Sequence, residues 1–157
     1  MVIPPGTPLW VGDPCYVLEP WEEFCNITSY TREANYMQLQ REYDTAHERI
    51  REVSSPKLWP MIYWSTAYGD GCYPLYRDGR EIGSCGVDAG MLSVIPLEAL
   101  AGVERNKLET LGYIVDAPTG DLHISGGDMT WGELEMYTSG NDPYIEREED
   151  EEDLDAP

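Results

Sequence analysis

The spacing of hydrophobic residues changes character twice along this chain. Residues 8–18, PLWVGDPCYVL, read as two short extended pieces parted by Gly12-Asp13-Pro14, where Asp can bond its own backbone and Pro fixes φ. Pro20-Trp21-Glu22-Glu23-Phe24-Cys25 then predicts a brief helix or turn opened by proline, with Trp21, Phe24 and Cys25 on one face. Between Thr31 and Val53, Tyr36, Leu39, Tyr43, Ala46, Ile50 and Val53 recur at alternating intervals of three and four. With Glu and Arg filling the other positions, this seven-residue repeat predicts a helix of about 20 residues carrying a narrow apolar stripe. Pro56 ends it. The stripe can pack on the rest of the body or pair with a copy of itself in a homo-oligomer.

From Leu58 the pattern turns to β. WPMIYWSTAY is rich in aromatic and β-branched residues, and CYPLYR alternates up to Asp78-Gly79, a hairpin dipeptide from which REIGSCGV returns. After the turn VDAG, MLSVIP makes another short apolar strand, and Pro96-Leu97-Glu98-Ala99-Leu100 reads as one or two helical turns. LGYIVD, LHIS and WGELEMYTS, separated by APTGD and GGD, add three more strands. Short strands at this spacing, with Gly and Pro between them, predict an α+β, mainly antiparallel fold. Its expected form is a single curled or barrel-like sheet of hairpins with one long inserted helix.

The length of 157 residues fits one domain, with about two thirds of the unfolded surface buried. The expected division is a β-rich body over 1–145, containing the helical insertion 31–57, and an acidic tail over 146–157. That tail holds too few apolar residues to offset its ordering entropy and is expected to be disordered. Thirty acidic groups against ten basic ones give a net charge of −20. Residues 146–155, EREEDEEDLD, contribute −7, residues 1–30 contribute −4, residues 58–145 contribute −9, and 31–57 are neutral. The body is therefore acidic in its own right. Such a surface repels phosphate, which argues against direct nucleic-acid binding and favours a basic protein partner.

No charged leader with an apolar core opens the chain, and no run of 18 apolar residues occurs, so no membrane association is expected. The expected setting is the cytosol. Cys15, Cys25, Cys72 and Cys85 are then reduced thiols, and their C-x9-C and C-x12-C spacings differ from the close knuckles of structural zinc.

Three blocks, GDPCYVL followed by Trp21 and Cys25, then YGDGCYPLY, then VDAGMLSVIP, together resemble a family of small uncharacterised phage and bacterial proteins. In that family D-P-C-Y-V, G-D-G-x-Y and V-D-S-G occur in this order. The likeness covers residues 9–25 and 68–100, with Ala89 standing where the family has Ser. The resemblance implies a compact β-rich protein, phage-encoded and acting in the host cytoplasm, and brings no reaction with it.

Two kinds of chemistry can be weighed against this. Asp13, Asp70 and Asp88 stand in three similar turns; gathered at one rim, their carboxylates could hold Mg2+ or Ca2+ for a metal-dependent hydrolase. The competing reading is that each Asp accepts N–H groups of its own turn. No EF-hand loop, H-E-x-x-H pair, P-loop, G-x-G-x-x-G or G-x-S-x-G is present, and His47 and His123 have no motif partner. Trp59, Tyr63, Trp64, Tyr68 and Tyr73 could stack a nucleobase, with Arg77 and Arg80 beside the hairpin for its phosphates, making a nucleotide sponge. Alternation would send about half of those rings into the core.

The preferred expectation is a non-enzymatic binding protein without a cofactor. Its acidic surface and tail, with Glu149 and Asp150, would meet a basic partner, and the stripe residues Tyr36, Leu39, Tyr43 and Ile50 would add apolar contact. Mimicry of nucleic acid toward a host-defence protein is one form of this, and a virion accessory role the other.

Overall fold

A computed structural model describes residues 3–18, 31–39, 41–44, 49–52 and 59–144. Its strands are β1 (Pro8–Gly12), β2 (Asn35–Leu39), β3 (Arg41–Asp44), β4 (Arg49–Glu52), β5 (Trp59–Ser65), β6 (Gly71–Arg77), β7 (Arg80–Val87), β8 (Met91–Pro96), β9 (Gly112–Asp116), β10 (Leu122–Ser125), β11 (Asp128–Trp131) and β12 (Leu134–Met136). Among the described residues there are also two 3-10 turns (Pro14–Tyr16 and Leu97–Leu100) and one short helix, α1 (Arg105–Leu111). The strands form two five-stranded sheets, ordered β2-β5-β8-β1-β9 and β10-β11-β12-β6-β7, plus the separate hairpin β3-β4. Every pairing is antiparallel.

Alternation along the strands of the first sheet explains its layers. Leu9 and Val11 of β1, Ile62 and Trp64 of β5, and Leu92 and Val94 of β8 face one way. They meet Leu75, Cys85, Met129, Leu134 and Met136 of the second sheet in one core. Trp10, Met61, Tyr63, Met91 and Ile95 face the other way and are covered by Val17, Leu18, Leu100 and Leu108 from the 3-10 turns, the segment after the first of them, and α1. The first sheet is thus buried on both sides, and β8 is buried at every position, which is why MLSVIP reads as an unbroken apolar run. Burying one such side chain stabilises the fold by about 1.5–3 kcal/mol.

Trp10 sets the tightest packing. Its indole N–H donates to the Leu108 carbonyl at 2.8 Å. Its ring lies over Gly12 and Gly112, which are register partners on β1 and β9. A Cβ at Gly12 would lie 2.5 Å from the ring, and one at Gly112 2.7 Å from its nitrogen. Two glycines are needed where one indole lies flat on the sheet.

The long helix expected over 31–57 is absent: its described residues form β2, β3 and β4. Burial in β2 alternates, with Tyr36 51% exposed, Met37 half-buried and Gln38 exposed. Met37, which lies off the seven-residue stripe, is the residue that packs against the core. β5 bonds β8 along one edge, and β2 pairs with its other edge, Met37 opposite Met61. That pairing overrides a stripe which over so few residues is compatible with either period. Tyr43 and Ile50 become opposite residues across the β3-β4 hairpin. Homo-oligomer formation through a helix therefore loses its basis.

The single curled or barrel-like sheet is also corrected. Asp78-Gly79, with φ of 52° and 77°, closes a hairpin of the primed type as read, and Gly126-Gly127, with φ of 61° and 90°, closes another between β10 and β11. The G-D-G and V-D-A-G turns instead carry the chain from one sheet to the other, β5 to β6 and β7 to β8. Gly69 (φ 76°) and Gly90 (φ 67°) supply the left-handed backbone for these crossings. After Asp13 the chain enters a 3-10 turn where a second extended piece was expected. WGELEMYTS is interrupted by the turn at Gly132, so β11 and β12 form a hairpin. Pro96 does open a helical turn, of the 3-10 kind. Among the described residues no helix is long and apolar enough to cross a membrane. The Pro20–Cys25 turn, Ala46, His47, Val53, Glu149 and Asp150 lie outside the described residues.

Candidate functional site

The three sequence blocks meet at one rim of the two sheets. Asp13 follows β1 and caps the first 3-10 turn, accepting the Cys15 N–H at 2.9 Å, with Pro14 at the first helical position. Its other oxygen accepts two backbone N–H groups from the crossing after β7, Asp88 at 2.8 Å and Ala89 at 2.7 Å. Asp13 is fully buried, so the carboxylate replaces water for three backbone donors belonging to segments some 75 residues apart. The crossing after β5 joins the same rim: Thr66 N–H donates to Gly90 O at 3.0 Å, and the Thr66 and Tyr73 hydroxyls donate to Gly69 O at 2.6 and 2.9 Å.

Asp70 and Asp88 remain exposed on this rim. Asp88 accepts the Tyr16 hydroxyl. Burial, that hydrogen bond and the Asp88 charge all push the Tyr16 phenol upward from its ordinary value. The Cys15 thiol is raised to about 12, first by burial, then by a hydrogen bond to Asp13 and by the negative charges of Asp13, Asp88 and Asp70. A thiol held protonated in this way is a poor nucleophile. Asp13 spends both oxygens on backbone donors and has no open face for a cation. Among the described residues no group of three or more His, Cys, Asp or Glu side chains is placed to hold a metal. The rim's chemistry is that of a three-way staple between turns.

Cys85 is buried in the core, with its thiol on the Val11 carbonyl at 3.2 Å, and burial raises it to about 12. Cys72 is exposed on β6.

Tyr68, Tyr73, Arg77 and Arg80 do not converge. Tyr68 is 72% exposed and rests on Gly140, while Tyr73 is a core residue beside the crossing. Arg77 is four residues further along β6, about 13 Å at the usual strand rise. It reaches the Asp116 carbonyl at 3.4 Å and Glu133 at 3.9 Å. Arg80 faces Arg77 across the hairpin. Of the candidate ring stack, Tyr63 and Trp64 are core residues on opposite faces of β5. Exposed His123 lies on β10 opposite Thr130.

A second constellation went unread in the sequence. Tyr76 OH donates to the buried Asp142 at 2.6 Å, and Tyr137 and Tyr144 both donate to Glu135, the former at 2.9 Å. The Tyr144 ring lies 4.7 Å from that of Tyr76 and 6.3 Å from that of Tyr137. Burial first, then these hydrogen bonds, raise Tyr76 and Tyr137; for Tyr144 the bond to Glu135 leads. The recurrence of Tyr beside Glu or Asp in ELEMY and NDPY was the available signal. Nearby, Asp128 repeats the behaviour of Asp13, accepting the N–H groups of Thr138 and Ser139 at 2.7 and 3.0 Å. Compared with known proteins, the chain matches no family model, no curated protein and no solved structure.

Proposed function

We propose that this chain is a non-enzymatic, acidic binding protein whose surface engages a basic surface on a partner protein. The observation that carries this reading is how the carboxylates divide. Asp13, Asp128 and Asp142 are turned inward as acceptors for backbone and hydroxyl donors, whereas Asp70, Asp78, Glu81, Asp88, Asp116 and Asp121 stand exposed. Residues 58–145 supply only four basic side chains against thirteen acids. Folding has thus withdrawn three carboxylates into contacts with backbone and hydroxyl donors and left these six facing solvent. A field of one sign steers a cationic partner and repels nucleic acid.

The phage-like resemblance of the three blocks makes a host protein with a basic groove the partner of choice, its phosphate contacts imitated by carboxylates; a basic virion protein is the other form. Immobilised protein exposed to bacterial lysate tests it. The expected result is one saturable, basic partner, released at high salt and retained more weakly when residues 146–157 are removed. Capture that is indifferent to salt, or no capture by either form, would count against the reading.

A further inference from the structure

We propose that the outer face of the second sheet is the docking surface within this acidic protein, and that its occupant is an arginine-bearing segment of the partner. The inference rests on the function proposed above and adds a place and a side-chain chemistry to it.

The register of five strands aligns one row on that face. His123 lies opposite Thr130, Thr130 opposite Glu135, Glu135 opposite Tyr76, and Tyr76 opposite Glu81. At the usual strand spacing the row is about 19 Å long, enough for several residues of an extended peptide. Neighbours along β6 and β7 are short: Pro74 opposite Ser84, and Cys72 opposite Gly86. Tyr144 lies over Tyr76 and is 41% exposed, so an aromatic ring stands at the surface between two glutamates. Glu135 fixes this ring and that of Tyr137 through their hydroxyls, which removes most of the ordering cost that a loose aromatic would incur on binding.

Charge selects the occupant. The row contains no Lys or Arg. Arg77 and Arg80, at the end of the same hairpin, pair with each other one step from Tyr76 and Glu81 and so belong to the opposite face, where Arg77 reaches the Asp116 carbonyl of the first sheet. The segment of net −7 begins two residues after Tyr144, so its attachment lies at this face. A guanidinium can stack on a tyrosine ring and bond a carboxylate through a planar fork; an ammonium offers only a point charge. The face is therefore expected to prefer arginine to lysine.

The test titrates the full chain with oligo-arginine and oligo-lysine peptides of equal length, read by fluorescence anisotropy. The arginine peptide should bind about fivefold more tightly or better, and Tyr144→Ala or Glu81→Gln should weaken it about tenfold and abolish the preference. Glu104→Gln, ahead of α1 on the far side of the first sheet, should change it less than about twofold. Amide shifts of the unmutated protein should move at residues 76, 81, 130 and 135, which keeps the test independent of whether a variant folds. Equal binding of both peptides, with all three variants alike and shifts scattered over the surface, would overturn this face while leaving a diffuse acidic binder. Failure of both peptides to bind would remove the underlying function as well.

Discussion

The buried carboxylate of Asp13 accepts the Ala89 N–H at 2.7 Å, tying the end of the first strand to a turn that connects the two sheets. The contact makes a stability prediction. Asp13→Ala leaves three backbone donors without a partner and should cost about 3 kcal/mol or more in urea unfolding. Asp13→Asn, which retains one carbonyl oxygen, should cost less. A loss below about 1 kcal/mol for the alanine variant would show that the staple is not what holds these turns together. The same geometry predicts no rise in melting temperature with Mg2+, Mn2+ or Ca2+, since a preformed cation site would register as ligand-dependent stabilisation.

The thiols should react in a fixed order. With Cys25 replaced by Ser, a disulfide reagent at pH 8 should modify exposed Cys72 in the native protein well before Cys15 or Cys85, both raised to about 12. Denaturant should then release both slow thiols. Fast modification of Cys15 in the native state would contradict the protonated thiol beside Asp13.

Alkaline conditions should destabilise the fold with a definite sign. Cys85 moves from an ordinary 9.0 to about 12 on burial, so its protonated form is favoured more in the folded than in the unfolded chain. Its contribution is complete below pH 9 and is lost as the pH rises toward 12. Tyr16, Tyr76 and Tyr137, raised in the same direction, act with it. Urea midpoints should therefore fall with pH above about 9, and less steeply in Cys85→Ala.

Gly112→Ala should cost about 1–3 kcal/mol, because its Cβ would strike the Val11 carbonyl and fall 2.7 Å from the Trp10 ring, both on the neighbouring strand. Trp10 is fully buried, so a shift in tryptophan emission toward the red should accompany the loss. An alanine tolerated without change in stability would mean that both the β1 backbone at Val11 and the indole have room to move.

The sequence made the β character legible wherever a local signal decided it. Asp78-Gly79 needs left-handed backbone at both residues and so announces its hairpin, and MLSVIP is apolar at almost every position because both faces of β8 are covered. Where the deciding partner lay far away, the local pattern misled. Tyr36 shares a seven-residue stripe with Leu39, but Met37 is the side chain that packs inward, because β5 needed a strand along its open edge. Gly69 and Gly90 look like hairpin glycines and serve as crossings, since the same backbone freedom suits both. Helix α1 carries only Leu108 and Leu111 on an apolar face and has no side-chain cap, so nothing in Arg105–Leu111 announced it.

At the rim, the residue types were legible and their use was not. Three similar aspartate turns at strand ends indicated where Asp13 and Asp88 would lie, but only the fold shows that Asp13 spends its oxygens on another segment's backbone. The Tyr76, Tyr137 and Tyr144 cluster depended on the pairing of β6 with β12, which no local pattern specifies.

The position of β1 has a consequence for synthesis. This N-terminal strand lies between β8 and β9, pairing Trp10 with Ile95 on one side and Ile114 on the other. A nascent chain leaving the ribosome must hold Leu9, Trp10 and Val11 without their final neighbours until more than a hundred further residues have been translated. Assembly of the first sheet is therefore expected to be slow, with this apolar segment open to chaperones and to self-association until β9 arrives.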